Sequence, residues 1–241
     1  MRELRLDHVA CGVRSSREIA ALLECGLGAR PHRGGPGAGF DGRQWSFAGG
    51  GLLELIEPSG DPDGFLHRFI AARGPGVHHV TFKVPDIHDA RDRAVRLGYD
   101  VVGFNDEQPS WKECFLHPKQ AGGIVVQMAE VDPDYQSDDW QPFAASYEGA
   151  PRSIATLKGP RLVIRERERA HRCWVELLGA SVEKSGDSEE TFRWQGCPLV
   201  IRVVIDPSAK SEGPTALEFA PFECAFPEPL PALLGSPLIQ N

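Results

Sequence analysis

The fold of this chain is decided by an eight-residue pattern that occurs twice, at residues 6–13 (LDHVACGV) and at residues 77–84 (VHHVTFKV). In both copies a His-Val pair fills the third and fourth positions and a valine fills the eighth. The alternation of side chains predicts a β-strand, in which neighbouring residues point to opposite faces. A repeated strand that carries its own histidine predicts a duplicated structural unit.

Each copy is followed by the pattern of one helix and three strands. A helix is predicted at residues 16–25, and a second at 86–97, which begins at Pro85-Asp86 and stops at Gly98, as helix caps should. The predicted strands lie at 29–33, 43–47 and 51–57 in the first copy and at 99–104, 111–117 and 123–130 in the second. A Gly- and Pro-rich link, 58–75, holds a short predicted helix at 64–72, and residues 34–39 (GGPGAG) predict a loop.

The remainder of the chain predicts a weaker third copy of the same unit. Its predicted strands are 153–157, 181–184, 191–194, 198–205 and 215–219, with a helix at 166–178. The predicted organisation is therefore a metal-site domain over 1–130 (modules 1–57 and 76–130), a linker over 131–152, a third module without metal over 153–222, and a Pro-rich, irregular tail over 223–241.

Four polar residues recur in register across the first two modules. His8 and His79 occupy the same place in the two first strands, and Glu54 and Gln127 occupy the same place in the two last strands. Two modules related by a pseudo-two-fold axis would bring these four side chains together. Two imidazoles and two oxygen donors suit a divalent ion such as Co²⁺, Ni²⁺, Mn²⁺, Fe²⁺ or Zn²⁺.

The second module carries the residues of a family resemblance. Residues 76–84 (GVHHVTFKV) and 115–127 (FLHPKQAGGIVVQ) resemble the vicinal oxygen chelate superfamily of glyoxalases, bleomycin resistance proteins and dioxygenases, and within it the methylmalonyl-CoA epimerases most. The resemblance covers residues 1–130. It implies an α+β fold of tandem βαβββ modules, paired into a curved mixed sheet around a metal cleft, with the third module as a degenerate copy.

The resemblance also implies a chemistry, and the sequence departs from it at three places. The epimerases usually carry Glu where this chain has Gln127 and commonly carry Gln where it has Glu54. They also have an acid–base glutamate in the region that here reads Arg43-Gln44-Trp45. Glu54 and Glu113 are the candidates for proton transfer, although the pattern alone leaves the face of Glu113 open.

Three functions are compatible with these residues. The first is a metal-dependent isomerase, epimerase or lyase that acts through an enediolate-like intermediate on a small carbonyl or acyl-CoA-like substrate chelating the metal. The second is an extradiol-type Fe²⁺ dioxygenase, which needs two histidines and one carboxylate. The third is a metal-free protein that binds a small molecule and confers resistance.

The composition and net charge of the chain limit the classes of partner that it is expected to bind. The net charge of −8 argues against nucleic-acid binding, and no apolar run approaches the ~20 residues that cross a bilayer, so no membrane partner is expected. Six scattered cysteines and a charged N-terminus without a secretory signal predict reduced thiols in the cytoplasm.

The third module predicts an oligomer. If the first two modules pair with each other, the apolar face of the third is left uncovered, and two chains could cover it as a homodimer. The linker and the tail of the same chain are the alternative cover. The apolar residues concerned are Val200, Ile201, Val203, Leu217 and Phe219.

Overall fold

The computed structural model describes residues 4–132, 134, 138–184, 186–220 and 238–240. The strands of the first half are β1 (Arg5–Gly12), β2 (Arg30–Gly37), β3 (Phe40–Ser46), β4 (Leu52–Pro58), β5 (Gly76–Lys83), β6 (Val101–Asn105), β7 (Trp111–Leu116) and β8 (Val125–Val131). Those of the second half are β9 (Thr156–Ile164), β10 (Ser181–Lys184), β11 (Glu189–Arg193), β12 (Val200–Ile205), β13 (Gly213–Ala220) and β14 (Leu238–Gln240). The helices are α1 (Ser16–Ala21), α2 (Phe65–Arg73), α3 (Ile87–Arg96) and α4 (Arg167–His171).

The strands form two mixed sheets, which confirms the predicted α+β class. The first sheet has the order β2-β3-β4-β1-β5-β8-β7-β6, so that the two strands with the repeated histidine pattern are its central neighbours. Strand β8 runs parallel to β5 and antiparallel to β7, and β3 runs antiparallel to both β2 and β4. The same βαβββ order is therefore present twice.

The second sheet has the order β10-β11-β12-β9-β13-β14. Its first strand is the main error of the sequence prediction, because β9 covers Thr156–Ile164 and not residues 153–157. The Gly159-Pro160 pair inside β9 concealed it, since glycine and proline argue against the interior of a strand. Most of the predicted tail, 223–241, lies outside the described residues; its residues 238–240 form β14, which runs parallel to β13.

Helix α3 follows its predicted caps. Asp86 caps α3, because its Oδ1 accepts a hydrogen bond of 2.9 Å from the backbone N–H of Asp89. Gly98 follows the helix with a φ of 85°, a conformation that glycine adopts without strain. Helices α1 and α4 each continue into a π-helical turn, over Leu22–Gly26 and Arg172–Leu177 respectively.

The loop predicted at residues 34–39 is wrong for residues 34–37, because β2 extends to Gly37 and pairs with β3, and the turn is confined to residues 38 and 39. The backbone amides and carbonyls of Gly34 and Gln141 exchange hydrogen bonds of 2.9 and 3.0 Å. A side chain at Gly35 would collide with the carbonyl of Asp139, whose oxygen would lie 2.1 Å from its Cβ. The glycines here allow a second piece of chain to approach a strand closely.

Contacts within the chain define two compact units that interleave along the sequence. One contains residues 1–8, 79–135 and 159–215; the other contains residues 9–78, 136–158 and 216–241. In the first unit Phe82 packs against Trp194 and Trp174, with ring centroids 4.9 and 6.3 Å apart. In the second unit Phe47 packs against Phe219 at 5.4 Å.

The apolar residues that motivated a homodimer are buried within the single chain. Four of them are fully buried, and Val200 is 5% exposed. Because these side chains are already covered within one chain, they give no reason for a second chain to cover them, and the homodimer stays a prediction. In the described part of the chain, no helix combines the length and apolarity needed to span a membrane. Among the described residues, Cys11, Cys25, Cys114, Cys173 and Cys197 are free thiols, and the cytoplasmic location stays a prediction.

Candidate metal centre

The two histidines predicted from the repeat lie beside each other. The rings of His8 on β1 and His79 on β5 meet edge to face, with centroids 5.9 Å apart. Both are buried, with exposed fractions of 3% and 9%. The alternation of strand residues sends the adjacent His78 the other way, where its ring contacts Phe65 at 5.5 Å and Phe69 at 4.8 Å. Burial there lowers the pKa of His78 to about 4.

Glu54 supplies the carboxylate. It lies in the middle of β4, between the fully buried Leu53 and Leu55, and is itself 5% exposed. Its cross-strand partner on β3 is Gln44. A carboxylate in such surroundings is costly to bury unless a cation or hydrogen-bond donors compensate its charge.

His8, Glu54 and His79 together form a donor set that fits a divalent metal. Each offers one ligand atom, and these atoms all lie within 4.8 Å of one another. Among the described residues, this is the group of histidine, cysteine and acidic side chains close enough to hold an ion. Two imidazoles and one carboxylate are the protein ligands of many first-row metal sites, and they leave positions for solvent or substrate.

A neighbouring carboxylate orients His8. Oδ2 of Asp7 lies 3.0 Å from Nδ1 of His8, and Oδ1 of Asp7 lies 3.1 Å from Nζ of Lys83. Burial opposes the charge of Asp7, but the hydrogen bond with His8 and the charge of Lys83 outweigh it and hold the pKa of Asp7 well below its usual range. With Nδ1 donating to Asp7, Nε2 of His8 is the nitrogen that can bind a metal. The Asp-His pair at residues 7 and 8 is the sequence signal for this contact.

Gln127 is buried on β8 and takes part in a polar network. Its register partner on β5 is Thr81, two residues after His79 and hence on the same side of the strand. The hydroxyl of Thr81 donates to Oε1 of Gln127 at 2.5 Å, and Nε2 of Gln127 donates to Glu113 at 2.7 Å. Its predicted role as the fourth ligand stays a prediction.

Glu113 lies on the same side of the sheet as Gln127, which answers the question that the sequence left open. Oε2 of Glu113 accepts the hydrogen bond from Gln127 and a second one, of 2.8 Å, from Nε1 of Trp111. The carboxylate is therefore held by two donors on its own module. Its catalytic role, like that of Glu54, stays a prediction.

The third module differs at the position of the histidines. His8, His79 and Gly159 each precede the N-cap residue of the following helix by the same number of residues. Gly159 has a φ of 128°, and a Cβ on it would lie 2.1 Å from the carbonyl oxygen of Val200. A histidine cannot occupy this backbone position without a rearrangement of the strand.

The polar network recurs in the third module with other side chains. Arg202 pairs with Arg161 in the register in which Gln127 pairs with Thr81. Glu189 takes the place of Glu113 and accepts hydrogen bonds of 3.2 Å from both arginines. Cations thus stand where the second module has a hydroxyl and an amide.

Comparison with known proteins identifies relatives of the first half of the chain. The profile of the Glyoxalase/Bleomycin resistance protein/Dioxygenase superfamily matches residues 7–115. An ethylmalonyl-CoA/methylmalonyl-CoA epimerase from Cereibacter sphaeroides is 34% identical over 85 residues, which are 33% of this chain and 61% of that protein. The match thus spans less than two thirds of this relative. The mitochondrial methylmalonyl-CoA epimerase of Homo sapiens is 30% identical over 137 residues, which are 53% of this chain and 74% of that protein.

A solved structure extends the likeness of the fold to nearly the whole chain. A mutant of 4-hydroxymandelate synthase from Streptomyces coelicolor superposes with a TM-score of 0.63 at 15% identity, covering 91% of this chain and 71% of that one. At this identity the likeness concerns the fold alone. The family profile and the human relative, together with the repeated modules, show that the chain belongs to the glyoxalase/bleomycin resistance protein/dioxygenase superfamily.

Proposed function

We propose that the protein is a metal-dependent isomerase or epimerase that removes and returns a proton next to the carbonyl of a small acyl substrate. The observation that carries the proposal is the buried group of His8, Glu54 and His79, whose ligand atoms lie within 4.8 Å of one another. The epimerases named among the relatives support an acyl-CoA thioester as the substrate class.

The proposed holders of the metal are His8, Glu54, His79 and Gln127. Co²⁺, Ni²⁺, Mn²⁺, Fe²⁺ and Zn²⁺ all fit this donor set. When bound, such an ion supplies Lewis-acid stabilisation of the negative charge that develops on a carbonyl oxygen as the neighbouring carbon loses its proton. Asp7 fixes the ring of His8, and Thr81 fixes the amide of Gln127.

Glu113 is the proposed general base. Its Oε2 is held by Trp111 and Gln127, which fixes the direction of the carboxylate on its strand. A general base must come within hydrogen-bond reach of the proton that it abstracts. Glu113 is hydrogen-bonded to the proposed ligand Gln127 and so lies next to the proposed metal site. Glu54 is the second candidate for proton transfer, in addition to its ligand role.

Elemental analysis of untagged protein followed by proton exchange tests the proposal. Methylmalonyl-CoA in D₂O is the probe, and mass spectrometry measures deuterium at the carbon between its two carbonyls. Metal-loaded protein is expected to exchange this proton, Glu113→Gln to slow the exchange by about 10²–10⁴-fold while keeping the metal, and Glu54→Gln to lose the metal. Absence of bound metal, or exchange by metal-free protein at the same rate, would contradict the proposal.

The same three residues also support a second function, an Fe²⁺ dioxygenase. Two histidines and one carboxylate form the donor set of many non-haem Fe²⁺ oxygenases. Oxygen uptake by Fe²⁺-loaded protein with catechol as the probe, without proton exchange on methylmalonyl-CoA, would favour this function. A protein that binds no stoichiometric metal would instead fit the third alternative, a small-molecule binding or resistance protein.

A further inference from the structure

The segment after the second module is fastened to the first module as a strap, defined here as residues 138–147. Its upstream end pairs with the edge strand β2, where Gly34 and Gln141 exchange two backbone hydrogen bonds. Farther along, the ring of Phe143 meets Trp45 at 5.1 Å and lies under the guanidinium of Arg43 at 5.9 Å. The sequence predicted only a linker in this region.

A buried carboxylate anchors the downstream end of the strap. Oε2 of Glu24, a residue that is only 5% exposed, accepts hydrogen bonds from the backbone N–H groups of Ser146 at 2.6 Å and Tyr147 at 2.9 Å. Its Oε1 accepts a third bond of 2.9 Å from Nε1 of Trp45. A buried charge with three donors costs much to remove, so the strap has a fixed course over this module.

This course places Trp140 beside Glu54. Nε1 of Trp140 donates to the carbonyl of Pro36 at 3.0 Å, which orients the indole. A methyl group built on Gly42 would lie 2.5 Å from Cη2 of Trp140 and 3.0 Å from Oε1 of Glu54. The edge of the indole and the carboxylate therefore adjoin the same small space, which stays open only because residue 42 is glycine.

We propose that Trp140 is a positioning residue for Glu54, holding its carboxylate in place and shielding it from water. The inference rests on the proposed function, in which Glu54 is a metal ligand. The indole limits the directions that the carboxylate can take and replaces solvent with an apolar ring edge. Groups that hydrogen-bond metal ligands typically change metal affinity by 10–100-fold when they are removed, and the apolar shell of a site controls the access of solvent to the metal.

Co²⁺ titration of Trp140→Ala, Trp140→Phe and the unchanged protein tests the role. Absorption of Co²⁺ in the visible range reports its coordination, because six-coordinate Co²⁺ absorbs more weakly than four- or five-coordinate Co²⁺. Trp140→Ala is expected to weaken Co²⁺ binding by about tenfold and to lower the absorption as water enters. Trp140→Phe keeps a ring at the site and is expected to restore most of both properties.

Two further variants act on the same contact from other positions. Gly42→Ala is expected to displace the indole and reproduce the spectrum of Trp140→Ala, and Glu24→Gln is expected to weaken Co²⁺ binding by loosening the strap at a distance from the ligands. Equal Co²⁺ affinity and equal spectra in Trp140→Ala and the unchanged protein would overturn this inference alone. Failure of the unchanged protein to bind Co²⁺ would overturn the proposed function and this inference with it.

Discussion

Gln127 donates its side-chain amide to Glu113 over 2.7 Å, while its amide oxygen accepts from Thr81. The orientation of this amide is therefore determined by two partners on adjacent strands. A carboxylate at position 127 could not donate a hydrogen bond to Glu113. The residue types at positions 127 and 113 are therefore coupled.

Gln127→Glu tests this coupling. The new carboxylate adds charge opposite a bound cation, so metal affinity is expected to rise. Without metal the two carboxylates repel each other, and the melting temperature is expected to fall by about 3–6 °C, which corresponds to about 1–2 kcal/mol for a chain of this size. Thermal unfolding with and without Co²⁺ measures both effects.

The double variant Gln127→Glu with Glu113→Gln is the matched control. It restores a donor–acceptor pair with the charges exchanged, so the melting temperature without metal should return close to that of the original protein. A single variant as stable as the original would contradict the coupling with Glu113, and one that binds Co²⁺ no more tightly would place Gln127 outside the ligand set.

Replacing His78 and His79 one at a time distinguishes a metal ligand from a residue that only packs in the core. His79→Ala is expected to lose the metal with a small effect on folding. His78→Ala is expected to keep a full equivalent of metal and to lose stability instead, by about 1–2 kcal/mol, because the ring of His78 packs on Phe65 and Phe69. Elemental analysis and thermal unfolding of both variants measure the contrast. Full metal content in His79→Ala would refute the site.

Glu24→Ala probes the anchor of the strap. Its removal leaves two backbone N–H groups and the indole N–H of Trp45 without their acceptor, which is expected to cost about 2–4 kcal/mol. Limited proteolysis should then cleave the variant within residues 138–147 sooner than it cleaves the original protein there. Unfolding that is unchanged, together with an uncut strap, would show that other contacts suffice to hold it.

Two carboxylates at the N-terminus of α3, those of Asp86 and Glu130, are expected to make the free energy of unfolding decrease in acid. Glu130 accepts from the backbone N–H of Ile87 at 3.0 Å and from Lys112 at 2.9 Å. Burial raises the pKa of Glu130, but these two partners outweigh burial and lower it below its ordinary value. The hydrogen bond from the backbone of Asp89 likewise lowers the pKa of Asp86.

Because both pKa values are lower in the folded state, these groups stabilise the fold above their unfolded pKa values and cease to do so as the pH falls. The loss is expected between about pH 5 and pH 3. Glu130→Gln should be less stable than the original at pH 7 and should lose less stability over this interval. Urea unfolding at each pH measures the difference, and parallel pH profiles would contradict the assignment.

Gly159→Ala tests the backbone that excludes a ligand from the third module. The positive φ and the approach of the Val200 carbonyl predict a loss of about 2 kcal/mol or more. Gly159→His is expected to be at least as unstable and to bind no second equivalent of metal. A stable Gly159→His variant with two metals per chain would show that the strand can rearrange.

The sequence predicted the features that repeat. The His-Val strands, the caps of α3 and the register of His8, His79 and Glu54 followed from periodicity and spacing, because a duplicated module repeats its pattern. Helix α2 was also predicted within a residue of its bounds.

What the sequence concealed depends on contacts between distant segments. β2 contains Gly34, Gly35 and Pro36, a composition typical of a loop, and these residues are extended because they pair with β3 on one side and Gly34 pairs with the strap on the other. The place of Trp140 next to Glu54 had no local signal, because nothing in its neighbours along the chain points to a site. The strand β9 was missed because Gly159 serves a close approach that no pattern shows.

The arginine pair of the third module has a consequence for protein engineering. The third module keeps the positions of the polar network of the second module, with Arg161, Arg202 and Glu189 in place of Thr81, Gln127 and Glu113. Its backbone differs at Gly159, where a positive φ replaces the extended conformation that His8 and His79 have in the first two modules. Metal-binding side chains introduced into the third module would therefore not have the orientation that His8 and His79 have in the first two modules. A designer who wants a second metal in this chain must first rebuild the strand at residue 159, and only then choose the side chains.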